Sequence, residues 1–153
     1  MNYGHYMMIT NDKAEGRSDL ASRIRSEMTV DYANALERCF DIAKRMVRIT
    51  NEGKVYLLQK ERLTGEDRIL LYLIGKLYAK EGGLAASEDV SNEEIANELG
   101  MRMGSIFPWT MNLRKKGKIR TQTKDGISYH AVNINLVEPE LNRFYSLLNP
   151  EGE

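Results

Sequence analysis

Seven basic side chains fall between Met101 and Lys124, in a stretch that contains no acidic residue. The complete chain of 153 residues is balanced, with 22 basic and 22 acidic side chains. Lysine and arginine donate charge-assisted hydrogen bonds, so a local excess of them can bind phosphate groups. The seven residues are Arg102, Arg114, Lys115, Lys116, Lys118, Arg120 and Lys124, and all of them except Arg102 are candidate phosphate-binding residues.

Other residue types that commonly carry chemistry are isolated in this sequence. His5 and His130 stand apart, and no Cys or His residues have the spacing of a metal site. His130 is predicted to be a surface residue on a strand. Cys39 falls on the apolar face of a predicted helix, where a small buried hydrophobic residue is expected rather than a nucleophile. No glycine-rich phosphate loop is present. The sequence therefore predicts no enzyme, no catalytic residue, no metal and no cofactor.

The elements that must position the basic residues can be predicted from local signals. Ser91-Asn92-Glu93-Glu94 forms a capping box that opens a short helix ending at Gly100. The stretch "MGSIFPWTMNLRKKG" predicts a second helix directly after it. The runs "KIRTQT" and "ISYHAVNI" then flank Lys124-Asp125-Gly126, and Asp-Gly between alternating runs is a strong hairpin signal. The basic residues thus belong to a helix and to the hairpin that follows it.

This order of elements resembles the winged helix-turn-helix family of DNA-binding proteins, over about residues 64–134. Ala96 stands where the family has a small residue at a helix crossing, and Gly100 stands in the turn. Ile106 and Leu113 stand where the second helix is anchored, and "RKKGKI" resembles the basic, glycine-broken entry into the wing. Multiple-antibiotic-resistance-type regulators have a similar length but follow the wing with long dimerisation helices, so the subfamily stays open.

The resemblance implies a mainly α fold with a small β-wing and a role in binding double-stranded DNA. The second helix is expected to enter the major groove, while the basic residues contact phosphates. At 100° per residue, Ile106, Trp109, Thr110 and Leu113 face inward, and Pro108 is predicted within the first helical turn. The candidate DNA-binding residues are Arg102, Ser105, Pro108, Met111, Asn112, Arg114, Lys115, Lys116, Lys118, Arg120 and Lys124.

The composition of the outward face leaves two functions open. Asn112 is its one good reader of base edges, suited to adenine, so a transcriptional regulator with phosphate-dominated binding and modest sequence specificity is expected. Phe107, Pro108 and Met111 would alternatively suit an aromatic anchor in a protein–protein interaction module.

The remaining sequence predicts an N-terminal helical region and a short C-terminal helix around the winged domain. The predicted divisions are a flexible tail at 1–17, a helical and hairpin region at 18–62, the winged domain at 63–136, and a helix at 138–149. Thr64 can cap the next helix, and Glu66 is favourable at its positive end. That helix is apolar on several faces and needs cover on two sides. The stripe within residues 32–47 is the expected cover, from the same subunit or from a partner. Whether residues 18–47 form one helix or two is left open.

Assembly and location follow from the same composition. The surplus of apolar surface predicts a homodimer that uses mainly residues 18–62. The single cysteine, the absence of a signal-peptide pattern and the absence of an apolar run of about 20 residues predict a cytoplasmic protein with no membrane partner.

Overall fold

The computed structural model describes residues 19–29, 32 and 34–151, which belong to two compact units, Met1–Asp31 and Tyr32–Glu153. In the first unit, residues 19–23 form helix α1, which continues as a π-helix over Ile24–Met28. Its apolar side chains Leu20, Ile24 and Met28 are exposed. The predicted tail at 1–17 lies outside the described residues.

The second unit is mainly helical and contains two small antiparallel sheets. Its elements are α2 (Ala35–Arg38), α3 (Phe40–Ala43), β1 (Val47–Ile49), β2 (Val55–Leu57), α4 (Gly65–Glu81), β3 (Val90–Ser91), α5 (Asn92–Leu99), α6 (Met103–Lys115), β4 (Ile119–Lys124), β5 (Ile127–Val132) and α7 (Val137–Leu148). A two-stranded sheet pairs β1 with β2, and a three-stranded sheet has the order β3-β5-β4. Short 3-10 helices at Lys60–Arg62 and Ile134–Leu136 precede α4 and α7.

Helix α4 forms the centre of the second unit. Thr64 caps it by accepting a 3.2 Å hydrogen bond from the backbone N–H of Asp67, as the sequence predicts. The side chains from Ile69 to Ile74 are all buried, so the helix is covered on more than one side. The β1–β2 hairpin covers one side, where a Cβ at Gly75 would lie 2.5 Å from a Val55 methyl. Helix α6 and strand β5 also pack against α4.

The region before the hairpin differs from the continuous stripe that the sequence predicts. The helix breaks at Cys39, which separates α2 from α3, and Val47 opens strand β1 instead of ending a helix. From Leu36 to Val47 the stripe is nevertheless buried within its own subunit, including Cys39 and Met46, whereas Tyr32 is 39% exposed. Both short helices pack against α7, and Tyr78 of α4 donates a 2.6 Å hydrogen bond to the Leu36 carbonyl.

Helix length and polarity bear on membrane insertion. Within the described residues, none of the helices combines the length and the apolar character that crossing a bilayer requires.

Candidate nucleic-acid interface

Helices α5 and α6 pack against each other and are joined by a short turn. Ser91 caps α5 by accepting a 3.1 Å hydrogen bond from the backbone N–H of Glu94. The Glu94 carboxylate does not complete the predicted box; it accepts a 2.7 Å hydrogen bond from the Tyr72 hydroxyl and lies 3.3 Å from the Lys76 ammonium. Gly100 ends α5 with a φ of 64°, a left-handed conformation that favours glycine.

Trp109 packs against the start of α4. Ile106, Thr110 and Leu113 form the buried face of α6, as predicted, and Trp109 is half-buried beside them. A Cβ at Gly65 would lie 2.3 Å from the Trp109 ring, so the indole lies directly on the bare backbone of this glycine. Trp109, the inward residue of Phe107-Pro108-Trp109, therefore packs within the fold.

Pro108 lies deeper in α6 than the sequence predicts. The helix begins at Met103, which places Pro108 in the second turn rather than the first. A proline at this position leaves the carbonyl of Gly104 without its helical partner and crowds it with the pyrrolidine ring. Gly104 is exposed, so water can satisfy that carbonyl.

The outward face of α6 holds the predicted base-contacting residues. Pro108, Asn112 and Lys115 are exposed, whereas Ser105 and Met111 are half-buried. A shallow concavity of about 410 Å³ lies along this face and is lined by Pro108, Trp109, Met111, Asn112 and Lys115.

The Asn112 side chain forms a hydrogen bond within the chain that the sequence does not indicate. Its amide nitrogen donates a 2.6 Å hydrogen bond to the carboxylate of Glu66, in the first turn of α4. From the sequence, Glu66 is predicted only to be favourable at the positive end of the helix dipole. Its contact with Asn112 joins positions 46 residues apart, so no local pattern could have indicated it.

The seven basic candidates divide into two groups in the structure. Three are paired: Lys116 with Glu66 at 3.2 Å, Lys118 with Glu140 at 3.0 Å, and Arg120 with Glu88 at 3.3 Å. The four others are exposed and form no ion pair within the described part of the chain. They are Arg102, Arg114, Lys115 and Lys124.

The pair formed by Lys118 belongs to a larger ion network beneath the hairpin. Glu140 accepts hydrogen bonds from Lys118 and from Arg143, and Arg143 also lies 2.8 Å from Asp67. Burial raises the pKa of Glu140, but the hydrogen bonds from Arg143 and Lys118 outweigh it and leave the pKa below its usual value. The network joins the base of the hairpin to α7 and to the first turn of α4.

The β4–β5 hairpin has the predicted two-residue turn. Asp125 and Gly126 both have positive φ, 52° and 77°, which is the pattern of a type I′ turn. Lys124 immediately precedes the turn and pairs with Ile127 across it. The hairpin thus places one exposed cation beside its tip.

His130 is buried, which corrects its prediction as a surface residue. It is 3% exposed because β5 is the middle strand of its sheet and pairs with both β3 and β4. Its Nδ1 lies 2.8 Å from the Thr121 hydroxyl, and its Nε2 lies 2.8 Å from the Asn92 amide oxygen. Burial lowers the pKa of His130, and the positive charge of Arg114 lowers it further.

Neither a metal-binding cluster within the described residues nor a similar known protein was found. Within residues 19–29, 32 and 34–151, no group of three His, Cys, Asp or Glu side chains could hold a metal ion. The chain matches no family model, no curated protein and no solved structure.

Proposed function

We propose that the second unit is a winged helix-turn-helix domain that binds double-stranded DNA in the cytoplasm, as a transcriptional regulator. The order of α4, β3, α5, α6 and the β4–β5 hairpin supports this proposal. Under it, α6 is the helix that enters the major groove, and the hairpin is the wing. The observation that carries the proposal is the exposed stripe of α6, in which Pro108, Asn112 and Lys115 are exposed and Lys115 forms no ion pair within the described residues.

The available side chains favour affinity over sequence selectivity. Arg102, Arg114, Lys115 and Lys124 would contact phosphates, which fix register without reading bases. Pro108 and Met111 offer only apolar contact to thymine methyl groups.

A titration against DNA at several salt concentrations tests this function. The probe is a fluorescently labelled duplex of random sequence, and binding is followed by anisotropy. We expect the logarithm of affinity to fall with the logarithm of salt concentration at a slope of about −0.9 per phosphate contacted. Lys115→Ala should weaken binding to all sequences about equally and reduce the steepness of that slope by about 0.9.

Lys54→Ala is the matched control for this titration. It removes the same charge from an exposed position beside β2, in the hairpin that packs on α4. It should leave both the affinity and the slope unchanged. Absence of binding at low salt, by the wild type and by every variant tested, would rule out the DNA-binding function.

A protein-interaction module is the second candidate, and the exposure of Phe107 favours it. Phe107 is 60% exposed, and Met103 one turn earlier is 52% exposed. Large apolar side chains with this exposure are typical anchors of protein interfaces. A chain that binds no DNA, but whose association with a partner is lost in Phe107→Ala without loss of thermal stability, would support this candidate.

A further inference from the structure

The Glu66 carboxylate contacts two of the residues that a DNA-binding face would use. One oxygen accepts the 2.6 Å hydrogen bond from Asn112, and the other lies 3.2 Å from the Lys116 ammonium. The Glu66 side chain is 18% exposed and that of Lys116 is 46% exposed, so salt screens this pair in part, although less than a pair whose two members are both fully exposed. Glu66 lies in the first turn of α4, and both of its partners lie at the C-terminal end of α6.

We propose that Glu66 is an internal competitor for DNA phosphate that keeps Lys116 and Asn112 from contacting the duplex. The inference rests on the proposed DNA-binding function and concerns the regulation of that same face. A carboxylate and a phosphate oxygen both accept hydrogen bonds from an ammonium group, so they compete for Lys116. The carboxylate has the advantage because it belongs to the same chain, which makes its effective concentration high.

The same contact restricts what Asn112 can read. An ionised carboxylate only accepts hydrogen bonds, so the Asn112 group that faces Glu66 is the amide NH₂. Adenine recognition in the major groove uses the NH₂ and the oxygen of one asparagine together. Glu66 occupies one N–H of the Asn112 amide and fixes the direction of the group, so it restricts this bidentate contact with adenine. On this proposal, Glu66 lowers both the sequence selectivity of α6 and the number of phosphates it contacts.

Lys115 can be compared with Lys116, because it lies beside it on the chain but is not held by a carboxylate of the described residues. It directly precedes Lys116, is exposed, and forms no ion pair in the described part of the chain. Two adjacent lysines therefore differ in their availability to phosphate, and the difference arises from Glu66. Removing the Glu66 charge should make Lys116 available to DNA phosphate.

The central experiment is Glu66→Gln, measured with the random-sequence duplex described above. Gln keeps the shape of the side chain but loses the charge that holds Lys116. We expect several-fold tighter binding at low salt and a slope steeper by about 0.9, the value for one added phosphate contact. Over a fourfold rise in salt, the variant should lose about 3.5-fold more affinity than the wild type. Binding as weak as that of the wild type, or weaker, would overturn the inference.

Glu61→Gln is the matched control for a nonspecific charge effect. Glu61 is exposed, lies shortly before α4, and forms no ion pair within the described residues. Its substitution removes the same charge without releasing a residue of α6. An equal gain in affinity and slope from Glu61→Gln would also overturn the inference.

Substitution of Lys116 tests the idea even if Glu66→Gln does not fold. In the wild-type background, Lys116→Ala should leave the slope unchanged, whereas Lys115→Ala should flatten it. In the Glu66→Gln background, Lys116→Ala should abolish the gain. A Lys116→Ala effect on wild-type binding as large as that of Lys115→Ala would refute the competition.

The outcomes also separate this inference from the proposed function. Binding by the wild type without a gain in Glu66→Gln defeats only the inference. Binding that appears in Glu66→Gln but not in the wild type supports both. Absence of binding in both proteins at the lowest salt defeats both. Melting temperatures of all variants exclude unfolding as the cause of any loss.

Discussion

At the scale of single residues, His130 joins three elements of the second unit. Its ring is hydrogen-bonded to Thr121 on β4 and to Asn92 at the start of α5. Because the Asn92 oxygen accepts, Nε2 carries the proton, and Nδ1 accepts from the Thr121 hydroxyl. Both nitrogens of the neutral ring are therefore satisfied, and a second proton would add charge at a buried position.

We expect His130 to make stability depend on pH below about 6.5. Burial and Arg114 lower the pKa of His130 in the folded chain, whereas the unfolded chain titrates near the ordinary value of about 6.5. Below that pH the unfolded state binds more protons, so stability present above pH 6.5 is lost as the pH falls towards the folded pKa. The measurement is the melting temperature between about pH 7.5 and 5.5, a window above the carboxylate range.

His130→Gln supplies the comparison for this titration. It should be less stable than the wild type at pH 7.5, yet its melting temperature should vary less across the window. A wild-type melting temperature that does not change between pH 7.5 and 5.5 would show that this imidazole does not titrate as expected.

At the scale of elements, the contact between Gly65 and Trp109 fixes how closely α6 approaches α4. We expect Gly65→Ala to destabilise the fold, because its methyl group would lie 2.3 Å from the indole ring. Overpacking of this kind costs roughly 1–3 kcal/mol, against a helix-propensity gain of at most about 1 kcal/mol. Urea denaturation measures the cost, and the emission of Trp109, the single tryptophan, reports the displaced ring.

Gly104→Ala is the control for the glycine substitution. Apart from its chain neighbours and the backbone of its own helix, no atom lies within 4 Å of a Cβ built at Gly104, which is also helical. This variant should be neutral or more stable by up to about 1 kcal/mol, with unchanged emission. If Gly65→Ala behaved in the same way, the close packing of Trp109 on α4 would be disproved.

The elements that the sequence predicts well are those with local causes. Thr64 and Ser91 cap their helices because a cap depends on residues within one turn. The Asp125-Gly126 turn is equally local. Tertiary context produces the difference at His130, because β5 becomes a middle strand and buries it. The difference at Pro108 is local, because a helix that begins at Met103 places Pro108 in its second turn.

The candidate site is less predictable than the elements that carry it. Helical periodicity separates the buried face of α6 from the exposed one, because that division depends on one helix. The partners of Lys116 and Lys118 depend on which distant carboxylates the fold brings near, Glu66 and Glu140. Charge counting alone therefore predicts more available cations than the structure presents.

At the scale of the whole molecule, we expect a homodimer formed through the side of α3 and β1. The buried stripe from Leu36 to Val47 is used inside the subunit, so a dimer must use other residues. Phe40 is 54% exposed and lies at a groove of about 210 Å³ beside β1. Two-fold DNA binders present two recognition helices about one helical turn apart, which multiplies modest affinity.

Light scattering at tens of micromolar tests the assembly. The expected mass is twice the 17.5 kDa of one chain. Phe40→Asp should reduce the mass to that of the monomer, whereas Ile127→Asp, at an equally exposed apolar position on the β4–β5 hairpin, should not. A wild-type monomer under these conditions would contradict the expectation.

The packing of α2 and α3 on α7 has a consequence for the time course of folding. Arg38 pairs with Glu138, and Arg45 bonds to Tyr145, so each contact joins positions 100 residues apart. Closing a loop of that length in an unstructured chain costs about 4 kcal/mol of entropy, before any constant contribution. Contacts of α4 with the neighbouring hairpin close much shorter loops and should form first. The two ends of the second unit should therefore be the last parts to meet, and the first to separate when the protein unfolds.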